Sequence, residues 1–189
     1  MTRIIAGRFG GRRLTVPDEG TRPTSDRVRE SVFSMLDARI DLTSTHVLDL
    51  YAGSGALGLE ALSRGASSAV FVDSRGRAAR TISANLTAVG AAASGRVITS
   101  PVSAFLAGAA PGRFDVVFSD PPYALADDEV AADLSALATG GWLTDDGLVV
   151  LERGRRAVLS WPPGWELVVD KSYGDTTVKV ARPGVAADE

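Results

Sequence analysis

The stretch DLYAGSGALGLEAL, residues 49–62, decides the fold of this 189-residue chain. It starts at the end of an apolar, strand-like run, HVLDL (46–50), and contains Gly53, Gly55 and Gly58 in G-x-G-x-x-G spacing. Glycine allows a tight turn and a close approach of the backbone to a ligand, and the helix that follows offers free N–H groups to an anion. Because such turns also serve packing alone, the spacing predicts a strand–turn–helix unit and leaves ligand binding open.

The same order of strand, turn and helix repeats along the rest of the chain. Apolar runs predict four further strands, at 69–73, 96–100, 114–119 and 147–152. Helical patterns occupy 25–40, 56–64, 75–89, 103–108 and 128–138. Two last runs, 165–174 and 175–183, predict an antiparallel pair at one edge. We therefore expect a doubly wound α/β sheet, on which ligands bind outside the carboxyl ends of the strands.

The first 20 residues are predicted to form a small β-hairpin ahead of a main domain over residues 21–189. RIIAG (3–7) and RRLTVP (12–17) flank a glycine-bearing turn. Residues 1–17 carry four arginines and no acidic residue, on a chain whose net charge is −3. A basic arm on an acidic body can bind phosphates, although each arginine alone is equally well explained as a solvated surface residue.

The composition excludes several kinds of chemistry. The chain has no cysteine, which excludes disulfides, thiolate metal sites and a cysteine nucleophile, and its single histidine, His46, disfavours a histidine-based metal site or triad. It has no apolar run long enough to span a bilayer. We therefore expect a cytoplasmic protein without a metal, whose chemistry relies on carboxylates, backbone groups or a cofactor.

Two aspartates lie where a cofactor would bind. Asp73 ends the second strand of the main domain, and a carboxylate there accepts hydrogen bonds from the two hydroxyls of a ribose. Alone, it is as well explained as a cap of the next helix. Asp49 lies inside a buried strand and needs a partner, for which the ammonium group of a cofactor would serve. With the glycine loop, these acids favour a ribose-containing cofactor, either NAD or S-adenosylmethionine.

The stretch SDPPYAL (119–125) decides between these cofactors. It follows a strand directly, and its prolines end the strand because they cannot donate to a sheet. The Asp120 carboxylate and the Pro121 carbonyl could accept the two protons of an exocyclic amine on a base, and Tyr123 could stack on that base for about 1–3 kcal/mol. NAD leaves this stretch unexplained, whereas S-adenosylmethionine does not. The structural alternative is a Pro121–Pro122 turn capped by Asp120.

These motifs together resemble one protein family. The chain is similar to the class I S-adenosylmethionine-dependent methyltransferases that act on amines, and more narrowly resembles the bacterial RsmD-type methyltransferases of small-subunit rRNA guanine N2. The resemblance extends from Arg3 to about Arg182. The motifs that carry it are RIIAG, GGRRL, RPTSDRVRESVF (22–33), DLYAGSGALGLEALSRGA (49–66) and DPPY (120–123).

The resemblance implies a Rossmann-like methyltransferase sheet and a role for each matching position. The residues implied for catalysis are Asp120, Pro121, Pro122 and Tyr123. The residues implied for S-adenosylmethionine binding are Thr24, Asp49, Tyr51, Gly53, Gly55, Asp73 and Val102, with Tyr51 standing where many relatives have phenylalanine. The arginines expected to contact RNA are Arg3, Arg8, Arg12, Arg13 and Arg22. Arg27 and Arg29 are expected nearer the pocket, where Arg29 could instead pair with Asp26.

The expected activity is transfer of the methyl group of S-adenosylmethionine to the exocyclic N2 of a specific guanine in 16S rRNA during ribosome assembly. The expected partner is the small ribosomal subunit or an assembly intermediate, and we expect a monomer. A DNA adenine-N6 methyltransferase shares the same amine chemistry, but 189 residues leave no room for a large target-recognition domain. A catalytically idle assembly factor is the third reading. DPPY does not choose between guanine and adenine; that choice rests on the resemblance.

Overall fold

The computed structural model of the protein describes residues 2–17, 25–157 and 159–184. Its α-helices are α1 (Asp26–Asp37), α2 (Ala56–Ser63), α3 (Gly76–Ala88), α4 (Val102–Leu106) and α5 (Asp127–Thr139). Its strands are β1 (Thr2–Arg3), β2 (Arg13–Leu14), β3 (His46–Leu50), β4 (Ser68–Asp73), β5 (Gly95–Thr99), β6 (Phe114–Ser119), β7 (Leu143–Gly154), β8 (Trp165–Tyr173) and β9 (Thr176–Pro183). None of the helices in these ranges is long and apolar enough to cross a membrane.

Seven strands form one sheet in the order β5-β4-β3-β6-β7-β9-β8. β3 pairs in parallel with β4 and β6, while β9 runs antiparallel to both β7 and β8. The predicted doubly wound sheet with an antiparallel edge pair is confirmed. Because β4 and β6 lie on opposite sides of β3, successive strands are added first to one side of β3 and then to the other. The carboxyl ends of these three strands thus form the switch point at which such folds bind ligands.

The sheet is buried on both faces because alternate residues of its central strands point to opposite sides. Val47, Phe71 and Phe118 belong to the apolar core on one face, where the Phe118 ring lies 5.6 Å from that of Phe33 in α1. Leu48 and Val117 belong to the core on the other face, beneath α4 and α5. This double burial keeps the ends of the central strands in fixed positions, and those ends carry the candidate site.

The N-terminal hairpin is present, but its paired strands are only two residues long each. The longer strands predicted at 3–7 and 12–17 do not form, and after β1 the backbone is bound by a side chain of the main domain instead. The Glu60 carboxylate, fully buried in α2, accepts the N–H groups of Ile5 at 2.6 Å and Ala6 at 3.0 Å. The hairpin is therefore attached directly to the main domain.

A second set of contacts fixes the turn of the hairpin on the end of α2. The Ser63 hydroxyl accepts the N–H of Phe9 at 2.9 Å, and the Ser63 carbonyl accepts that of Arg8 at 2.8 Å. At Gly7, which has a φ of +80°, a Cβ would lie 2.0 Å from the Ser63 carbonyl oxygen, so only glycine fits. The arginines of the hairpin thus have a fixed position relative to the sheet.

Candidate active site

A cavity of about 430 Å³ opens at the carboxyl ends of β3, β4 and β6. Three segments supply most of its lining, namely residues 51–54 after β3, residues 73–75 after β4 and residues 120–124 after β6. Asp49 lines the floor, and Val16 and Arg29 contribute from the N-terminal part of the chain. The glycine loop, the acid at the end of β4 and the DPPY corner therefore share one cavity.

The glycine loop is shaped by left-handed backbone and by Asp49. Gly53 has a φ of +57° and Gly55 one of +78°, which glycine adopts without strain. The Asp49 carboxylate, almost fully buried, accepts the N–H of Gly58 at 2.9 Å. A Cβ at Gly58 would lie 2.4 Å from the ring of Phe71. The loop can therefore close onto β3 and β4 only with a hydrogen in place of a side chain here.

The Asp49 carboxyl group has a raised pKa, which favours its neutral form. Its burial raises its pKa to about 8, an effect that the Gly58 hydrogen bond opposes and the nearby Asp73 charge reinforces. A cation that comes close to this carboxyl group would stabilise its anion further. The site therefore presents a buried acid that is suited to a positively charged ligand group.

Asp73 lies at the end of β4 with both carboxylate oxygens engaged. One oxygen accepts the N–H of Gly53 at 2.9 Å, which joins the end of β4 to the glycine loop. The other accepts the backbone N–H of Arg75 at 2.9 Å, and the Arg75 guanidinium contacts both oxygens at 3.1 Å. These contacts raise the pKa of Arg75, chiefly through its hydrogen bond to Asp73. Asp73 is fixed as an acceptor facing the cavity.

Tyr51 connects the glycine loop to α5. It adopts a φ of +57°, a conformation that non-glycine residues rarely take, and its hydroxyl donates to the Asp133 carboxylate. Burial raises the pKa of both groups, and for Tyr51 the hydrogen bond to Asp133 adds to that rise. Phenylalanine could not form this bond. Tyr51 therefore attaches the start of the glycine loop to α5 through a bond that a relative with phenylalanine at this position would lack.

The DPPY corner follows β6, which ends at Ser119. Asp120 is half-buried, Pro121 is buried, and Tyr123 exposes 54% of its surface. The Tyr123 hydroxyl lies 3.1 Å from the Thr176 hydroxyl, and its ring lies over the backbone of Gly154, where a Cβ would come within 3.0 Å of the ring. The corner therefore presents a carboxylate and an accessible aromatic ring on one side of the cavity.

Arg153, at the end of β7, holds this corner from behind. Its guanidinium donates to the carbonyl of Pro122 at 3.2 Å and that of Leu125 at 2.8 Å, and pairs with Asp127 at 2.7 Å. The side chain is 7% exposed, so these charge-assisted bonds form in a largely water-free environment. The conformation of residues 122–127 is thus set by a residue that is distant in sequence.

Other residues predicted for the site lie in different places. Gly55 is the N-cap of α2 and does not line the cavity, and Val102 is buried at the start of α4 against the core, also outside the cavity lining. Thr24 and Arg22 lie outside the described residues. The positions predicted for binding adenine and for covering the cofactor thus keep the status of predictions.

The predicted RNA-contacting arginines of the hairpin lie on its outer surface. Arg8 and Arg12 place their guanidinium groups 4.4 Å and 5.4 Å from the centre of the Phe9 ring, which orients both. Arg13 is exposed, and Arg3 lies 3.4 Å from Asp26 at the start of α1. Three of these four cations therefore have no carboxylate partner in the described part of the chain.

Sequence reasoning missed Arg75 and Arg153 and left Arg29 undecided. Arg29 pairs with Asp26 at 2.8 Å, as its spacing indicated, and also lines the cavity although it is only 1% exposed. Among the described residues its Nε and Nη1 atoms have no hydrogen-bond partner. The position of Arg75, two residues after Asp73, was a usable signal. Nothing in the sequence near Arg153 points to DPPY, because 31 residues separate it from Pro122.

The arrangement suits a cationic ligand that carries a ribose. Asp49 offers a buried acid for a cationic group, and Asp73 offers acceptors for hydroxyls one strand away. The space that a Cβ at Gly58 would fill is needed for the loop to close. The DPPY corner adds a carboxylate, a main-chain carbonyl and a stacking ring for a planar second substrate. Together these groups can hold two molecules side by side.

Comparison with known proteins places the chain among proteins named as methyltransferases. Residues 2–182 match the family model described as Conserved hypothetical protein 95. The chain is 37% identical over 180 residues to the Ribosomal RNA small subunit methyltransferase D of Escherichia coli strain K12, covering 94% of this chain and 88% of that protein. The protein of the same name from Haemophilus influenzae is 37% identical over 175 residues, covering 91% and 89%.

A solved structure shares the whole architecture. The provisionally assigned methyltransferase yhhF from Escherichia coli superposes with a TM-score of 0.84 at 34% sequence identity, covering 98% of this chain and 99% of that one. The fold is therefore the Rossmann-like methyltransferase fold, including the antiparallel edge.

Proposed function

Because this chain belongs to the RsmD family, whose model is described as Conserved hypothetical protein 95, we propose that it transfers a methyl group from S-adenosylmethionine to small-subunit rRNA. The observation that carries the proposal is that the DPPY corner opens onto the same cavity as the glycine loop and Asp73. A cofactor site and an amine-binding corner thus face each other. Relatives named as small-subunit rRNA methyltransferases support the class of substrate.

The chain's own residues fit this cofactor. Asp49 would accept its ammonium group, Asp73 would accept the ribose hydroxyls, and the loop around Gly53 would lie against its methionine part. When bound, S-adenosylmethionine supplies an electrophilic methyl group on a sulfonium. For the ribose to bind, Asp73 has to share with it the acceptors that now serve Arg75.

The acceptor that we propose is the exocyclic N2 of a guanine. The lone pair of such an amine is delocalised into the ring, which makes it a poor nucleophile. The Asp120 carboxylate and the Pro121 carbonyl would accept its two protons, so that the lone pair points towards the cofactor side of the cavity. Tyr123, accessible on one face, would stack on the base. Asp120 would also take the surplus proton, directly or through a water molecule.

The fixed hairpin supports an RNA substrate. Arg8, Arg12 and Arg13 are exposed on its outer surface, and contacts of the hairpin with Glu60 and Ser63 hold it against α2. A base that enters the cavity must leave its stack, and cations on the neighbouring phosphates stabilise that state. The chain's own RNA-binding surface is small, which favours the small subunit or an assembly intermediate over naked RNA. A ribosomal substrate also agrees with the cytoplasmic location that we expect.

The proposal is tested by offering S-adenosylmethionine with a labelled methyl group and three acceptors. These acceptors are undermethylated small ribosomal subunits, the naked rRNA extracted from them, and genomic DNA. We expect label in the rRNA of the subunits and much less in the other two. Label in DNA alone would contradict the substrate, and intact cofactor binding without transfer to any acceptor would favour an idle assembly factor.

A further inference from the structure

A second groove lies on the far side of Tyr123 from the cofactor cavity, and we call it the flanking groove. It has a volume of about 380 Å³ and lies between the DPPY-to-α5 connection, residues 123–127, and the end of β7 with the turn after it, where Arg153, Gly154, Arg156 and Ala157 line it. We propose that the flanking groove binds the RNA strand next to the target nucleotide, with Arg155 and Arg156 on its phosphates. This inference rests on the proposed function.

The flanking groove adjoins the place where the target base would bind. Tyr123 and Ala124 line both the cofactor cavity and the flanking groove. The Tyr123 ring is fixed between the two by its contacts with Gly154 and Thr176. A base stacked on this ring has its sugar and phosphate at the rim of the cavity, so the strand that continues from it reaches the groove without crossing another element.

Four basic and two acidic residues of the described chain line the groove and a second cavity beside it. A smaller cavity of about 270 Å³ shares Arg153, Gly154 and Ala157 with it and adds Arg155 and Lys179. Arg153 is neutralised by Asp127 at 2.7 Å, and Lys179 by Asp170 at 2.7 Å.

Two cations of this region keep their charge available. Arg155 and Arg156 are exposed, and in the part of the chain that the structure describes neither guanidinium has a carboxylate or hydrogen-bond partner. The chain has a net charge of −3. Even so, these two adjacent arginines beside the DPPY corner attract phosphates locally.

The walls of the groove suit a sugar–phosphate strand better than a protein surface. Ala124 and Ala126 are exposed and have small side chains, so a backbone can approach closely. The large exposed hydrophobic side chain of the described lining is Tyr123, whose ring can stack on a base. Arg153 keeps one wall rigid through its bonds to Pro122 and Leu125. A preformed wall lowers the entropy that binding must offset.

The groove and the N-terminal hairpin lie on opposite sides of the cavity. The hairpin is attached to α2, which packs on β3 and β4, whereas the groove lies at the end of β7, beyond β6. RNA bound at both places is held on each side of the extruded nucleotide. This arrangement supplies the second contact that a small hairpin alone lacks.

The test replaces Arg155 and Arg156 by alanine together and measures binding to undermethylated small subunits directly, over a range of salt concentrations. The control variant replaces Arg80 and Arg96 by alanine. It removes the same amount of charge, but near β5 at the opposite edge of the sheet. We expect the first variant to bind about tenfold more weakly, with a salt slope smaller by roughly 1.4, since each single-strand contact contributes roughly 0.7. The control should bind like the wild type, and both should keep the wild-type affinity for S-adenosylmethionine.

A photo-reactive residue in place of Ala126, compared with one in place of Ala84 in α3, reports what occupies the groove. We expect a crosslink to rRNA from the first position only. Wild-type affinity and salt slope in the Arg155/Arg156 variant, or a crosslink from Ala126 to ribosomal protein alone, would overturn the inference. The wild type could bind subunits, with the expected loss of affinity in the Arg155/Arg156 variant and the expected rRNA crosslink, and yet transfer no methyl group. In that case the proposed function fails while the groove assignment stands.

Discussion

The guanidinium of Arg153 donates to the carbonyl of Pro122 across 3.2 Å, which joins the end of β7 to the middle of the DPPY corner. The same side chain is bonded to Leu125 and to Asp127 at the start of α5. The geometry of the proposed acceptor pair, Asp120 and Pro121, is therefore expected to depend on a buried cation from a different strand.

Replacing Arg153 by methionine should lower kcat for subunit methylation by about 100-fold, because a misplacement of about 1 Å in the reacting groups has an effect of that size. Affinity for S-adenosylmethionine, measured by calorimetry, should stay within about twofold. The Asp127 carboxylate, left without its ion-pair partner, should also lower thermal stability. Rates are therefore compared at temperatures below the onset of unfolding of both variants. Arg113→Met, which removes an exposed ion pair with Asp145, is the control. Equal effects of the two variants on kcat would show that Arg153 does not position the corner.

Asp120→Asn tests the acceptor role directly. The amide keeps the size of the side chain but loses the negative charge beside the amine, so kcat should fall by about 100- to 1000-fold. The dissociation constant for S-adenosylmethionine should change little, since the role assigned to this carboxylate is toward the acceptor amine. If cofactor binding were lost in proportion to activity, Asp120 would belong to the cofactor site instead.

Asp49 should make cofactor binding depend on pH. Its pKa is raised to about 8 in the folded protein, so at neutral pH it is mostly protonated. A cationic ligand beside it favours the anion and lowers this pKa, so binding releases a proton. Affinity for S-adenosylmethionine should therefore rise from about pH 6 to about pH 7.5, by up to about tenfold per pH unit. Calorimetry in buffers of different ionisation enthalpy measures the release, and Asp49→Asn should abolish it. A flat pH profile in the wild type would remove Asp49 from contact with the ammonium group.

Arg12 and Arg13 should contribute phosphate contacts from the hairpin. Changing both to alanine should weaken subunit binding and lower the slope of log affinity against log salt by roughly 0.7 to 0.9 for each lost contact. The loss of Arg12 also removes one cation from the Phe9 ring, so circular dichroism and thermal unfolding serve to show that the hairpin stays folded. An unchanged slope would mean that this surface does not touch RNA.

The order of the elements could be predicted because it depends on local patterns. The apolar runs HVLDL and FDVVFS, and the glycines after Leu50, are visible in the sequence itself. The first strand of the hairpin is shorter than predicted because Glu60, more than 50 residues away in sequence, binds the N–H groups of Ile5 and Ala6. β7 is longer than predicted, at 143–154, because its first residue pairs with Phe114 through an irregular register.

Some residues of the candidate site could be located from the sequence, whereas contacts between distant segments could not. Asp49, Asp73 and Asp120 could be located because each lies within one residue of the end of a strand, and parallel strands end at one edge. The pairs Tyr51 with Asp133 and Arg153 with Pro122 could not, because they join segments 82 and 31 residues apart and depend on how α5 and β7 pack. Unpaired charge at Arg155 and Arg156 likewise becomes visible only once their neighbours are known.

The most direct test of the central claim is the identity of the methylated nucleoside. Undermethylated small subunits are incubated with the protein and labelled S-adenosylmethionine, the rRNA is digested, and the labelled nucleoside is identified by mass spectrometry. We expect N2-methylguanosine at one position, in an amount approaching one per subunit. Label in N6-methyladenosine, or N2-methylguanosine scattered over many positions, would contradict it.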